Sequence, residues 1–126
     1  MRTFKYKWFN RWARNEGVTD ADLCKAAAEV IAGIVEADLG GSLFKKRMAR
    51  KGEGKRGGYR TIIGYRKANS DRIIFLYAFP KNQKANITSK EEAALSLAAE
   101  SFLTATEEQV CALLIEGTVL EIKADE

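Results

Sequence analysis

The sequence predicts an α+β fold in which N-terminal helices pack on a small, antiparallel-rich sheet with C-terminal helices. Three observations carry this. Apolar residues recur at helical spacing over the first third of the chain. Alternating and fully apolar strand patterns fill the middle. Two Ser/Thr-x-x-Glu/Gln signatures open helices near the C-terminus. With 126 residues there is room for one core, so residues 1–126 read as a single domain whose last helix and short strand occupy about 106–123.

Residues 3–7 suit a short first strand. From 7 to 16, Trp8, Phe9, Trp12 and Ala13 share one helical face opposite Asn10, Arg11, Arg14 and Asn15, and Gly17 stops the helix. Thr19 or Asp20 caps a second helix with the apolar stripe Leu23, Ala26, Ala27, Val30, Ile31 and Ile34, expected to be core, until Gly40-Gly41 breaks the pattern. Three strands follow, at 43–50, 59–66 and 72–79. In the second, Tyr59, Thr61, Ile63 and Tyr65 oppose Arg60, Ile62, Gly64 and Arg66. In the third, Ile73, Phe75, Tyr77 and Phe79 oppose Ile74, Leu76 and Ala78, so both faces are apolar and the strand should be central. The short turn at 67–71 makes these two strands antiparallel neighbours, and Pro80 ends the third. Ser89-Lys90-Glu91-Glu92 reads as a capping box before a helix over 93–103. Thr106-Glu107-Glu108-Gln109 reads as another before a helix closed by Gly117, and a last strand fits 119–123.

The formal net charge of +4 conceals a strong asymmetry. Ten Lys or Arg residues lie between Lys45 and Lys67 against one acid, Glu53, whereas the last twenty residues hold six acids and one base. A concentrated positive zone favours a polyanion, because each neutralised phosphate releases counterions. No apolar run approaches the roughly 18 residues of a membrane span, and the charged first ten residues do not suit a secretory signal, so the cytoplasm is the expected location. Cys24 and Cys111 are too few and too far apart for a disulfide or metal framework and read as plain buried thiols.

The chain has no histidine. Imidazole-based triads, histidine zinc sites and paired-histidine ribonuclease mechanisms are therefore excluded, and Lys, Arg, Tyr, Asp, Glu or Cys must move any protons. Two segments offer chemistry. Residues 50–60 combine four glycines with Arg50, Lys51, Lys55, Arg56 and Arg60, which reads as a loop able to approach a phosphate, with Arg60 fixed by the strand that follows. The alternative for Arg60 is an outward-facing side chain paired with a helix acid. Residues 77–86 carry Lys81, Asn82, Lys84 and Asn86 off the end of a buried strand, where they either hold a phosphate or base edge or form a polar connector to the next helix.

Together, Ala37-Asp38-Leu39-Gly40-Gly41, Lys45-Lys46-Arg47, Gly54-Lys55-Arg56-Gly57-Gly58-Tyr59-Arg60-Thr61 and Tyr77-Ala78-Phe79-Pro80-Lys81-Asn82 with Asn86-Ile87 resemble the RelE/HigB-like toxins, within the RelE/ParE-like fold. The similarity runs from Phe4 to about Ile122, with Arg56 and Pro80 standing where small residues are usual. The resemblance implies a toxin of a type II toxin–antitoxin system that cuts mRNA on the ribosome by attack of a ribose 2′-OH on its own 3′ phosphate. It implies no metal or cofactor, and as partners the ribosome, mRNA and a cognate antitoxin, in the wider group often a small helix-turn-helix protein. On that reading Lys55 is the general base, its pKa lowered by neighbouring cations, Arg60 holds the scissile phosphate, and Lys81 is the acid or a second phosphate contact. Lys45, Lys46, Arg47, Arg50, Lys51, Arg56, Tyr59, Asn82, Lys84 and Asn86 are the expected RNA contacts. The alternatives are a ParE-like gyrase inhibitor and a non-catalytic basic nucleic-acid-binding module.

Overall fold

A computed structural model describes residues 1–50, 54–67, 71–82, 84 and 86–123, with backbone alone considered at 50 and 54–57. In chain order the elements are β1 (Arg2–Tyr6), α1 (Lys7–Glu16), α2 (Asp20–Ile31), β2 (Ala37–Gly40), β3 (Leu43–Arg50), β4 (Gly54–Tyr65), β5 (Arg72–Pro80), α3 (Ser89–Leu103), α4 (Glu107–Glu116) and β6 (Val119–Ile122). The strands form one sheet in the order β2-β3-β4-β5-β1-β6, antiparallel except where β1 runs parallel to β5. This is the expected α+β architecture.

The sheet is covered on both faces. On one, Phe9 and Ala13 of α1 and Leu23, Ala26 and Val30 of α2 meet Phe44, Ile63, Ile73 and Phe75. On the other, Ala99 and Phe102 of α3 and Val110 of α4 meet Phe4, Leu43, Ile62, Ile74 and Leu76. Helix α3 comes so close that a Cβ on Gly64 would lie 3.0 Å from both Ala99 Cβ and Ile74 Cγ2, so any side chain there would have to push them aside. β5 is the expected central strand, but its faces change part-way. Ile62 pairs with Tyr77 while Ile63 pairs with Phe75, which leaves Leu76 as the extra residue of a bulge. Tyr77 and Phe79 consequently join Ile74 and Leu76 on the α3 face, not Ile73 and Phe75 as strict alternation requires.

Other expectations shift for local reasons. Helix α2 ends at Ile31, where the Gly33 and Ile34 amides close onto Val30 and Glu29, so Ile31 and Ile34 are exposed instead of core. The following residues form β2, an edge strand that the Gly40-Gly41 break obscured. β4 begins at Gly54, so much of the expected phosphate-cradling loop is strand. Thr88, not Ser89, caps α3: its hydroxyl accepts from Glu91 N and its own amide donates to the Glu91 carboxylate. Glu91 completes this box while also holding Lys84, which a cap one residue later would forgo. Thr19 and Thr106 make their boxes with Asp22 and Gln109. Cys24 packs at the edge of the core, whereas Cys111 on α4 is exposed.

A buried arginine ties the C-terminal helices to the sheet. Arg72, at the start of β5, donates to the carbonyls of Phe102 and Ala105 at 2.9 and 2.8 Å and to Glu107 at 3.0 Å. It thereby satisfies the Ala105 carbonyl just past α3 and gives the Phe102 carbonyl, which already accepts from the Ala105 amide, a second donor. Glu107 also receives Arg2, which forks onto Glu121 of β6. Part of the acidic C-terminal charge is thus spent on structure, and Arg72 and Arg2 hold the Glu107 and Glu121 carboxyls below the usual range. Replacing Arg72 with Leu strands the Ala105 carbonyl and takes a donor from Phe102 and Glu107, and should lower stability by about 2–3 kcal/mol in urea unfolding. Alanine at the exposed Arg11 should change it by less than about 0.5 kcal/mol.

Candidate nucleic-acid interface

Alternation on β3 sends Lys45 and Arg47 to the α3 face and Lys46 to the α2 face. The register then sets Arg47 opposite Arg60, and Arg60 opposite Phe79. One row across three strands therefore reads Arg47, Arg60, Phe79. Just beyond it the chain leaves β5 at Lys81, whose amide donates to Gly58 O, and both Lys81 and Asn82 are exposed. Arg60 and Lys81, twenty-one positions apart in the chain, are brought to the same end of the sheet by strand pairing alone.

Arg60 is the unusual member. It is 3% exposed and directly opposes another guanidinium, an arrangement that costs stability in a sheet. Its Nε pairs with Glu36, the residue just before β2, and its Nη1 is buried with no hydrogen-bond partner among the described residues. A buried donor without a partner is uncommon and costs desolvation energy. Arg60 is thus neither the outward-facing arginine nor the open phosphate hook that the sequence offered. It is a sealed cation held by one carboxylate.

The remaining expected contacts divide. Arg47 is exposed and Lys45 half-buried beside the row. Lys46 is buried on the opposite face, 3.4 Å from Glu29, and does not join them. Tyr59 is 2% exposed, donates its hydroxyl to Glu16 at 2.9 Å and packs edge-on against Trp12, so its ring is core and not a stacking platform. Lys84 lies over the rings of Tyr77 and Phe79 and donates to Glu91 at 2.5 and 2.6 Å. Asn86 accepts from the Ile87 amide next to the start of α3, in keeping with a connector. Lys51 lies outside the described residues, as do the side chains of Arg50, Lys55 and Arg56; the last two stand on β4 ahead of Arg60. A larger groove, about 530 Å³ between α2 and β3, balances Glu16, Asp22 and Glu29 against Lys25, Lys46 and Arg47, a lining without the excess positive charge that suits a polyanion.

A family model for the RelE toxin of the RelE/RelB toxin–antitoxin system matches residues 1–122. The chain belongs to the RelE toxin family. No curated protein matches it. As a RelE-family member it is the toxin of a toxin–antitoxin system, with a cognate antitoxin as its partner. Among the described residues no helix of this RelE-family chain is long and apolar enough to cross a membrane. Two residues at the cationic end escaped the sequence reading. Glu36 is one of two acids, with Asp38, ahead of a run of cations, and Trp8 stands among core aromatics; neither has a local pattern that reveals its spatial neighbour.

The Lys84 ammonium and the Thr88 amide together hold the Glu91 carboxyl at about 2, against an ordinary 4.5, and Glu91 in turn raises Lys84. A depressed carboxyl stabilises the fold fully above its unfolded value and loses that contribution as pH falls through its folded one. Carbon-detected NMR titration should therefore place the Glu91 midpoint near 2, and Lys84→Met should move it upward toward 4.5.

Proposed function

We infer that this toxin is a ribosome-dependent mRNA endoribonuclease. The observation that supports the reading best is the buried Arg60, aligned with Arg47 and adjoining Lys81 at one end of the sheet. A cation fixed on a strand, at a cost in stability, suits charge stabilisation in a transition state, where preorganised donors act most strongly.

In the proposed reaction the ribose 2′ oxygen attacks the adjacent phosphorus and the bond from phosphorus to the 5′ oxygen breaks. The products are a 2′,3′-cyclic phosphate and a 5′-hydroxyl. Arg60 holds the phosphate and its developing charge. Because Arg60 is sealed against Glu36, the phosphate takes over from that carboxylate as it enters. Lys55, on the same strand and set in a cationic run, is the proposed base for the 2′ proton. Lys81 returns a proton to the 5′ oxygen or holds a second phosphate oxygen, with Asn82 beside it. Arg47 and Lys45 line the path of the backbone. Lysine and arginine suffice for this chemistry, which fits a chain without histidine.

The test is cell-free translation with purified protein and primer extension of the mRNA. Wild type should give cuts that require ribosomes. Arg60→Ala should cut about 10²- to 10³-fold more slowly, and Lys55→Ala at least about 10²-fold more slowly. Intact mRNA with wild type would overturn the nuclease reading. Loss of gyrase supercoiling in its place would assign the ParE-like activity.

A further inference from the structure

We propose that the cleft between α1 and the end of β5 holds one unpaired nucleobase of the RNA, stacked on Trp8. This rests on the nuclease reading and adds a base-recognition site to it.

The cleft arises from the topology. β1 follows β5 only as far as Phe75, and the chain then turns into α1. Beyond that point Trp8, Trp12 and Asn15 of α1 face Tyr77 and Phe79 across an opening of about 480 Å³, with Lys84 at its rim. That volume lies in the range of small-ligand sites. Trp8 is 45% exposed although the next residue, Phe9, is fully buried, and its ring lies 5.0 Å from that of Tyr77 at 33°. Lys84 covers Tyr77 and Phe79, and Trp12 and Tyr77 are only partly exposed, so the most accessible ring of the cleft is the indole of Trp8.

Flat, partly exposed rings beside cations are what single-stranded RNA uses: bases stack on aromatic faces while basic groups follow the phosphates. Inside the cleft Lys84 is paired with Glu91 and Glu16 adds an acid, so it is the exposed Arg47 and Lys81 next to it that favour a nucleotide over an apolar peptide. Phe79 lines the cleft and is also the cross-strand partner of Arg60, so the cleft and the proposed phosphate site share a wall. Lys81 and Asn82 leave β5 from the same end. A nucleotide whose phosphate sits at Arg60 thus has an aromatic slot beside it, and the amide of Asn15 is available to a base edge.

The test titrates an unstructured oligoribonucleotide carrying one 2-aminopurine into wild type, Trp8→Ala and Trp8→Phe, and repeats primer extension on translating ribosomes with each. Stacking predicts quenching of 2-aminopurine by wild type and about 10- to 100-fold weaker binding by Trp8→Ala. Trp8→Phe should stay within about threefold of wild type, since a smaller ring still stacks. On ribosomes Trp8→Ala should raise KM and blur the preference for particular bases at the cut, with kcat less affected. Wild-type cleavage with equal binding and equal cut patterns in Trp8→Ala would overturn the inference and leave the nuclease intact. Unchanged RNA behaviour with weakened antitoxin binding would also overturn it, assigning Trp8 to the antitoxin. Trp8-dependent quenching without any ribosomal cleavage would uphold the base site and sink the nuclease. Matching urea midpoints for the three proteins exclude misfolding as the cause.

Discussion

The architecture depends on β5 being buried on both faces for most of its length and yet ending in solvent. Ile73 and Phe75 fill the core under α1 and α2, while Ile74 and Leu76 fill the one under α3. A strand covered on both sides must be apolar throughout, and it fixes its neighbours by hydrogen bonding. β4 pairs along one edge, and along the other β1 pairs only with its first half. The bulge at Leu76 then turns Tyr77 and Phe79 toward the face that carries Arg60. Without that extra residue Phe79 would sit under α1 and Arg60 would have a different neighbour. Core packing thereby decides what surrounds the cationic row.

Charge is distributed by the same logic. Lys5 is buried and paired with Asp20, Lys46 with Glu29, Arg2 and Arg72 with Glu107, and Lys84 with Glu91. Of the basic zone at 45–67 these pairs take only Lys46, and the others neutralise cations that lie outside it. Arg47, Lys81 and the sealed Arg60 remain at one end of the sheet. Arg60 differs from the structural pairs because another guanidinium opposes it and one of its nitrogens lacks a partner among the described residues. Such local cost is expected where a site is held ready for a ligand. On the proposed reading, Glu36 keeps the arginine compensated until an anion arrives, and affinity for phosphate is set against a competing carboxylate.

The fold was legible because its signals are local. Periodicity located α1 and α2, the doubly apolar run located β5, and Thr-x-x-Gln located α4. The failures are equally physical. Ile34 continues the spacing of α2, but the chain has already turned at Gly33. Thr88 and Ser89 are both competent caps, each with a Glu three residues on, so the sequence pattern alone does not choose between them. The bulge has no mark in the sequence, and neither does the parallel pairing of β1. For the site, the row of Arg47 and Arg60 follows from two strands in register, whereas the burial of Lys46 and Tyr59 follows from which face the helices cover. Glu36 and Trp8 reach the site through tertiary contact alone.

The most direct test of the central claim places two mRNAs in the ribosomal A site, one all-ribose and one with a single 2′-deoxy substitution at the mapped cut. If Arg60 stabilises a phosphate attacked by its own 2′-OH, the first is cut to a 2′,3′-cyclic end and the second stays intact at that position. Cleavage of the deoxy-substituted mRNA at the same bond would contradict the account.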